Sequence, residues 1–476
     1  MVSNPTYEGD NITRSHAPLK RPLILIAANT IEVSVFYSLL VVIALVAIPY
    51  GATEPWWKAL FQCLIFLLAA FAVVERLLRN ISTNRVGTKL RSGSTSLIFP
   101  LLALLGFAVV QILPRKSSIA GVSNVQWTLS RDPLATMNFI IQICTLMLLS
   151  WMLVTYTSDR RLYFLIDTII AIAFLSAAFG LWRQASQAQV GFILPYLKPG
   201  FGYAQFINSN HFAFLMEMAV GLTLGVAVTR AVGGWRTAIY LAAALLMWVA
   251  VIRVNSRGGI LSLLCQAVLL TVLIVFGRRR EQPIENPPSA RIRQLAKQVV
   301  LVLTLLIGSV VTIVFVGGDP LAGRIDNLSV EMDRKAAQTY TLRQNIWQST
   351  WDLIKRHPIA GVGFGGYWIG ITQYHRASGE TTPQQAHNDY LELLASGGVI
   401  GLGIGIWFVV AFAAHARRAL KTPDHFERAV VLGAIIGLLT VSIHSLVDFG
   451  LHVTVNATVC TALISMVSIV EKRRIF

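Results

Sequence analysis

Charge is what this sequence has least of. Asp, Glu, Lys and Arg make up 13% of its 476 residues, while 55% are hydrophobic. Soluble domains carry about 25% charged residues, so a water-soluble chain is excluded and a polytopic membrane protein is expected. Cysteine is almost as scarce. Cys63, Cys144, Cys265 and Cys460 all fall inside apolar runs, which excludes a disulfide framework or a cysteine metal site in the polar segments. No three or four His, Cys or carboxylate residues lie at the close spacing a zinc site needs, so no metal and no cofactor are expected. No apolar stretch ending in a small-residue cleavage site precedes the first long apolar run, so a removable signal peptide is not expected either. Acidic residues number 23 against 40 basic ones, a net charge of +17. In a soluble protein that balance would suggest nucleic acid. Here the placement of basic residues in loops accounts for it, and no nucleic-acid partner is expected.

What is present is apolar and periodic. Twelve spans are predicted, at about 23–48, 59–74, 97–113, 134–155, 162–182, 212–229, 235–252, 259–276, 298–316, 398–415, 429–447 and 452–470. With the N-terminus inside, the cytoplasmic segments hold 25 Lys and Arg and the outer ones 15. Seven of those 15 lie in the segment 317–397, which is long enough to escape the positive-inside rule. The chain therefore reads as a cytoplasmic tail (1–22), nine spans (23–316), one large outer loop (317–397), three further spans (398–470) and a second cytoplasmic tail (471–476).

The 317–397 loop is the longest polar stretch. Leu342, Ile346, Leu353 and Ile354 recur at helical spacing, and His357-Pro358 ends that helix. Arg343, Trp347 and Trp351 follow one another at intervals of four along one face. HNDYLELLASGG (387–398) then reads as a short helix entering the tenth span, which sets His387 near the membrane surface.

The orientation gathers other polar residues on the same outer face. Asn208, Asn210 and His211 precede span six. The turn Asn255-Ser256-Arg257-Gly258-Gly259 joins spans seven and eight, and His444, Asp448 and His452 surround the turn between spans eleven and twelve. Each has an ordinary reading. Arg257 can snorkel toward headgroups, or it can serve a phosphate beside backbone N–H groups freed by the glycines. Arg343 can be a solvated charge, and His387, Asn388 and Asp389 a helix-capping segment. His444 and Asp448, four apart, can form an ion pair. Glu217 and Asp167, inside spans, either line a cavity or pair structurally. Gly361-Val-Gly-Phe-Gly-Gly366 has a phosphate-loop look, but it follows no strand and lacks the Gly-Lys-Ser ending, so nucleotide binding is not expected.

Taken together, SRGG at the head of a span, LRQNIW and HPIAGVGFGGYW in a large outer loop, HNDYLELLASGG entering the next span, and HSLVDFGLH (444–452) resemble the O-antigen ligase and O-antigen polymerase superfamily. The resemblance implies an all-α polytopic membrane protein of about 12 transmembrane helices, GT-C-like, with one large helical periplasmic loop, in the bacterial inner membrane. It implies transfer of a glycan from an undecaprenyl diphosphate donor to a glycan or lipid A-core acceptor, without metal. By the same resemblance the essential arginines correspond to Arg257 and Arg343 and the loop histidine to His387. Nine residues separate His387 from Gly397, where the ligase pattern has seven, so ligase and polymerase both stay open. Asn210, His211, Trp347, Asn388, Asp389, His444 and Asp448 are the expected substrate-binding residues. The chemistry agrees. Guanidinium forks stabilise a diphosphate leaving group, a histidine near the surface is a fitting base, and direct attack inverts the anomeric centre. The alternative is a transporter or flippase for an anionic lipid or solute. Such proteins carry internal repeats and polar groups near the midplane, whereas here the polar clusters sit at one face.

Overall fold

The computed structural model describes residues 20–83, 95–119, 122–186, 202–229, 231–254, 256–277, 343–375 and 383–475. The expected span 298–316 and loop residues 317–342 lie outside the described residues, as does Asn255. The described chain forms α1 (Lys20–Leu45), α2 (Pro55–Thr83), α3 (Thr95–Ile112), α4 (Pro133–Tyr156), α5 (Asp159–Ser186), α6 (Ser209–Val228), α7 (Trp235–Arg253) and α8 (Arg257–Gly277). After these come α9 (343–356), the single turn α10 (Tyr367–Gly370), α11 (Asp389–Ala419), α12 (His425–His444) and α13 (Thr454–Ile475). Nine of the described helices are long and apolar enough to cross a membrane, and two shorter apolar stretches lie at 96–112 and 258–270. The chain is an all-α polytopic membrane protein. A small antiparallel hairpin between α3 and α4, β1 (Arg115–Ile119) with β2 (Val122–Trp127), is an addition that the hydropathy reading did not anticipate.

Eleven of the twelve expected spans coincide with described helices, and α2 shows where hydropathy falls short. It runs from Pro55 to Thr83 rather than 59–74, because the polar residues Glu75 and Arg79 beyond the expected end are paired against neighbouring side chains. Gln62 donates to Gln142 at 3.0 Å, and Glu75 accepts from Arg79 and Tyr156. The boundary drawn between loop and tenth span at 397/398 falls on a kink. α11 continues through it, but Gly398 has φ 60° and ψ −162°. Helix starts follow capping chemistry. Asp132 caps α4 with Pro133 next to it, Asn208 caps α6, and Asn388 caps α11 by accepting from the Tyr390 and Leu391 N–H groups.

α6 is the central helix, and nearly all its residues are buried. Its closest partner is α12, and the reason is written in small residues. Gly221-Leu-Thr-Leu-Gly225 on α6 meets Gly433-Ala-Ile-Ile-Gly437 on α12. A Cβ on Gly221 would lie 2.5 Å from the Gly437 nitrogen, and one on Gly225 would lie 2.3 Å from the Gly433 Cα. Paired Gly-x-x-x-Gly faces let two helix backbones touch, which is how helices associate where lipid removes the hydrophobic drive. The two helices run antiparallel. The start of α6 (Asn208–His211) is therefore held beside the turn that follows α12 (Ser445–Val453).

The described part of the large loop docks on the bundle through backbone. Ile346, Leu353 and Ile354 of α9 are buried as their period requires, and Leu353 and Ile354 pack with Val362, Tyr367 and Ile371. The Val362 N–H donates to the Ala395 carbonyl at 3.0 Å and the Gly363 N–H to that of Ser396 at 2.9 Å. The Phe364 N–H donates to the Gln111 side chain. Gly361 has φ +63°, and a Cβ there would strike the Ser396 backbone at 2.3 Å. The glycine run is thus a packing element on the α11 kink, with the Gly361, Val362, Gly363, Phe364 and Gly366 N–H groups turned to protein.

Candidate functional site

A buried carboxylate organises the face where the polar clusters meet. Asp448, in the turn after α12, has a side chain 1% exposed. Its Oδ2 accepts from the Asn210 amide and lies 3.5 Å from Arg343 Nη2, and its Oδ1 lies 3.3 Å from His387 Nδ1. The Phe449 N–H also donates to it at 2.9 Å. Burial alone would raise the Asp448 pKa. The hydrogen bond and charge of His387, the Phe449 N–H and the Arg343 charge outweigh it and hold the group at about 2. Asn210 is itself fixed, because the Ser256 hydroxyl donates to its Oδ1 at 2.8 Å while accepting the Gly259 N–H at 3.1 Å. Four segments far apart in sequence are joined through one carboxylate. They are the α6 start, the α7–α8 turn, α9 of the loop and the His387 segment.

The other side chains build the frame around it. His387 has φ 50°, a left-handed backbone that costs a non-glycine residue about 1–2 kcal/mol. It is locked between the Ala386 N–H, which donates to Glu392 at 2.8 Å, and the Asn388 cap. The Trp347 indole N–H donates to the Ala386 carbonyl at 3.0 Å, so α9 grips the same segment. The polar atoms of Trp347 and the cap oxygen of Asn388 are therefore occupied within the frame. Phe449, which sequence reasoning did not single out, is the common ring of the site. His211, His387 and His452 stand edge-on to it at 4.9, 4.8 and 6.1 Å. His211 is buried, with an Nε2 that has no hydrogen-bond partner among the described residues. His452 Nε2 sits 3.4 Å from Asp389 and 3.6 Å from Glu392. Burial works to lower its pKa, but those two carboxylates raise it to about 9.

His444 lies beneath the site rather than in it. Its Nδ1 is 2.7 Å from Glu217 Oε1, both side chains are at most 1% exposed, and its ring stacks on Phe214. Gly258 covers it, and a Cβ there would meet His444 Nε2 at 2.3 Å. His444 and Asp448 do not form the ion pair that their spacing allows. The helix ends at His444, and the turn sends Asp448 to different partners. Asp167 likewise pairs structurally, accepting from the Tyr240 hydroxyl. The backbone of Arg257 opens α8 next to Ser256, while its side chain is outside what is described. Arg343 and His387 are each 31% exposed, so both reach solvent from a buried base. Among the described residues no group of three His, Cys, Asp or Glu is arranged to hold a metal. The arrangement can bind an anion at the arginine and move a proton at the histidine.

Residues 242–406 match the family model described as O-antigen ligase. The match runs from α7 through the α7–α8 turn and the loop to the kinked half of α11, and it contains Arg257, Arg343 and His387. No curated protein matches the chain.

Proposed function

We propose, on the premise that this chain belongs to the O-antigen ligase and polymerase superfamily, that it is an inverting transferase at the periplasmic face of the inner membrane. Its donor is a glycan on undecaprenyl diphosphate. A glycan-transfer role in surface polysaccharide assembly follows from the family itself. The finer reading rests chiefly on one observation, the His387–Asp448–Arg343 constellation.

The contact between His387 Nδ1 and Asp448 Oδ1 fixes the tautomer. With Nδ1–H donating to the carboxylate, Nε2 is the basic nitrogen. The acceptor hydroxyl attacks the anomeric carbon and its proton passes to Nε2. The bond from that carbon to the diphosphate oxygen breaks, and the electron pair leaves with the diphosphate. Arg343 and Arg257 stabilise the charge that develops there, as fixed guanidinium groups suited to phosphate oxygens. The products are a glycosylated acceptor, with inverted configuration at the transferred sugar, and undecaprenyl diphosphate. Asn210, His211, Asn388 and Asp389 border the space in which sugars would lie, and Trp347 and His444 hold that border in position.

Extraction of lipid-linked glycans from a deletion strain tests the reading. Accumulated single repeats on undecaprenyl diphosphate identify a polymerase, accumulated long chains identify a ligase, and an unchanged profile removes the proposal. Purified protein with a lipid-linked donor should turn over fully in a chelator. Loss of turnover that one divalent ion restores would refute the arginine account of the leaving group.

A further inference from the structure

The inward stripe of α2 begins with a cation. Phe61, Ile65, Ala69 and Ala72 are all buried, and the same helical period carried one turn back reaches Lys58. Among the described residues the Lys58 ammonium makes no hydrogen bond or ion pair with a side chain, and only its backbone N–H is engaged, by the Glu54 carbonyl at 3.0 Å. A basic group inside a span that the protein leaves without a counter-ion marks a ligand path.

Beside it a groove of about 240 Å³ opens between α1 and α2, lined by Val42, Leu45, Pro49, Trp57, Phe61 and Leu64 among others, every one apolar. It exceeds the ~150 Å³ apolar cavity that admits benzene, so it accommodates a short length of hydrocarbon. Leu45, Ile48 and Leu60 on its rim are half exposed, which opens it sideways to the bilayer. The stacked Trp56 and Trp57, 3.6 Å apart, set its head at interface depth. That head is bonded to the site. The Ala52 carbonyl accepts from the Thr454 hydroxyl at 2.8 Å and the Gly51 carbonyl from the Val455 N–H at 3.2 Å. Thr454 lies two residues beyond His452, and the Lys58 charge acts on His452. A cation at the site's edge beside a dry groove suits a molecule with an anionic head and an isoprenoid tail.

We infer that Lys58 and the α1–α2 groove form the lipid end of the donor site, Lys58 binding the diphosphate oxygens and the groove holding the first isoprene units. The inference rests on the donor reading above.

The test uses the full chain in nanodiscs and undecaprenyl diphosphate without a glycan as the probe. Lys58→Gln should weaken binding about tenfold or more, the value of one charge-assisted contact, while Lys58→Arg should bind within a few-fold of wild type. Leu64→Trp, which fills the groove, should weaken undecaprenyl diphosphate but leave inorganic pyrophosphate binding unchanged, whereas Lys58→Gln should weaken both. Effective competition by excess phosphatidylglycerol would make the groove an ordinary lipid seat and overturn the inference. Wild-type affinity in Lys58→Gln and Leu64→Trp, alongside loss in Arg343→Gln, would place the lipid end elsewhere and leave the donor reading standing. Failure of the wild-type chain to bind the probe would overturn both.

Discussion

The two ends of the helix bundle use charge in opposite ways. At the end away from the site most ion pairs are short, the longer ones being Arg473 to Asp159 at 3.2 Å and His415 to Glu471 at 3.7 Å. Arg79 reaches Glu75 at 2.5 Å and Glu32 at 2.8 Å, Arg161 reaches Glu32 at 2.7 Å, Arg418 reaches Glu471 at 2.7 Å and Arg473 reaches Glu427 at 2.9 Å. At the site end the pairs are longer. Asp448 lies 3.5 Å from Arg343 and 3.3 Å from His387, and His452 lies 3.4 Å from Asp389 and 3.6 Å from Glu392. The tight contacts on that side are in the floor, between His444 and Glu217 and between Asn210 and Ser256. Charges that fasten helices are already at hydrogen-bond distance. Charges at long range from their partners still have capacity for another ligand, as catalytic contacts often do before substrate arrives.

Substitutions at the two ends should separate these roles, and the largest effect is expected at His387. His387→Ala should reduce turnover by about 10²–10⁴ while donor binding persists, the usual cost of losing a general base. His387→Asn can still cap or bridge but cannot accept the proton, and it should fall as far. Near-normal turnover of His387→Asn at normal expression would remove the histidine from the chemistry and shift the search to Asp389, Glu392 or His211. Arg343→Lys keeps the charge and loses the planar fork. It should cost about 10²–10³ in kcat, with no recovery as pH is raised; a wild-type rate would make Arg343 a surface charge.

The opposite end should respond in stability instead. Glu471→Gln removes the negative charge that faces Arg418 and buried His415 while keeping an oxygen acceptor. An expected loss of about 1–3 kcal/mol should appear in thermal unfolding, with turnover per folded molecule unchanged. A fall in turnover without loss of stability would break the comparison. The smallest effect concerns His452. Its pKa is raised to about 9 in the fold, so its contribution to stability is complete below the unfolded value near 6.5 and fades as pH rises through 9. The side chain is 42% exposed, so solvent screens the pair and the contribution is below about 1 kcal/mol. His452→Asn should flatten stability between pH 6.5 and 9.5. Asp448, held at about 2, works in the other direction. Its contribution is present above pH 4 and lost only as pH falls toward 2, so it leaves that window untouched.

Much of the site could be read before folding, in unequal parts. His387, Asn210 and Asp448 are polar residues at the ends of apolar runs and Arg343 lies on the amphipathic helix of the large loop, and the side of the membrane alone suffices to group them. Phe449 gave no signal, since an aromatic in a short turn is unremarkable until three histidines surround it. His444 misled for the opposite reason. Its spacing to Asp448 fits an ion pair, but the helix stops between them and the buried partner is Glu217, on another helix. The glycine run at 361–366, from which no nucleotide binding is expected, is a docking surface, because positive φ serves close backbone approach as well as it serves phosphates. The hairpin at 115–127 and the full length of α2 were missed because hydropathy averages over windows and discounts polar residues that are paired against neighbouring side chains.

The sequence by itself determined the membrane class, the positions of eleven described helices, the capping residues that start several of them, and the side bias of the basic loops. All of these are local sums over a few to twenty residues. It took the packing of the helices to set one carboxylate among Asn210, Arg343 and His387 and to put His444 below it. Those facts depend on the approach of α6 to α12 through glycines, which sets Asn210 against Asp448 across 238 positions. Steric fit between distant helices, unlike hydropathy, is not a sum over neighbours in the chain.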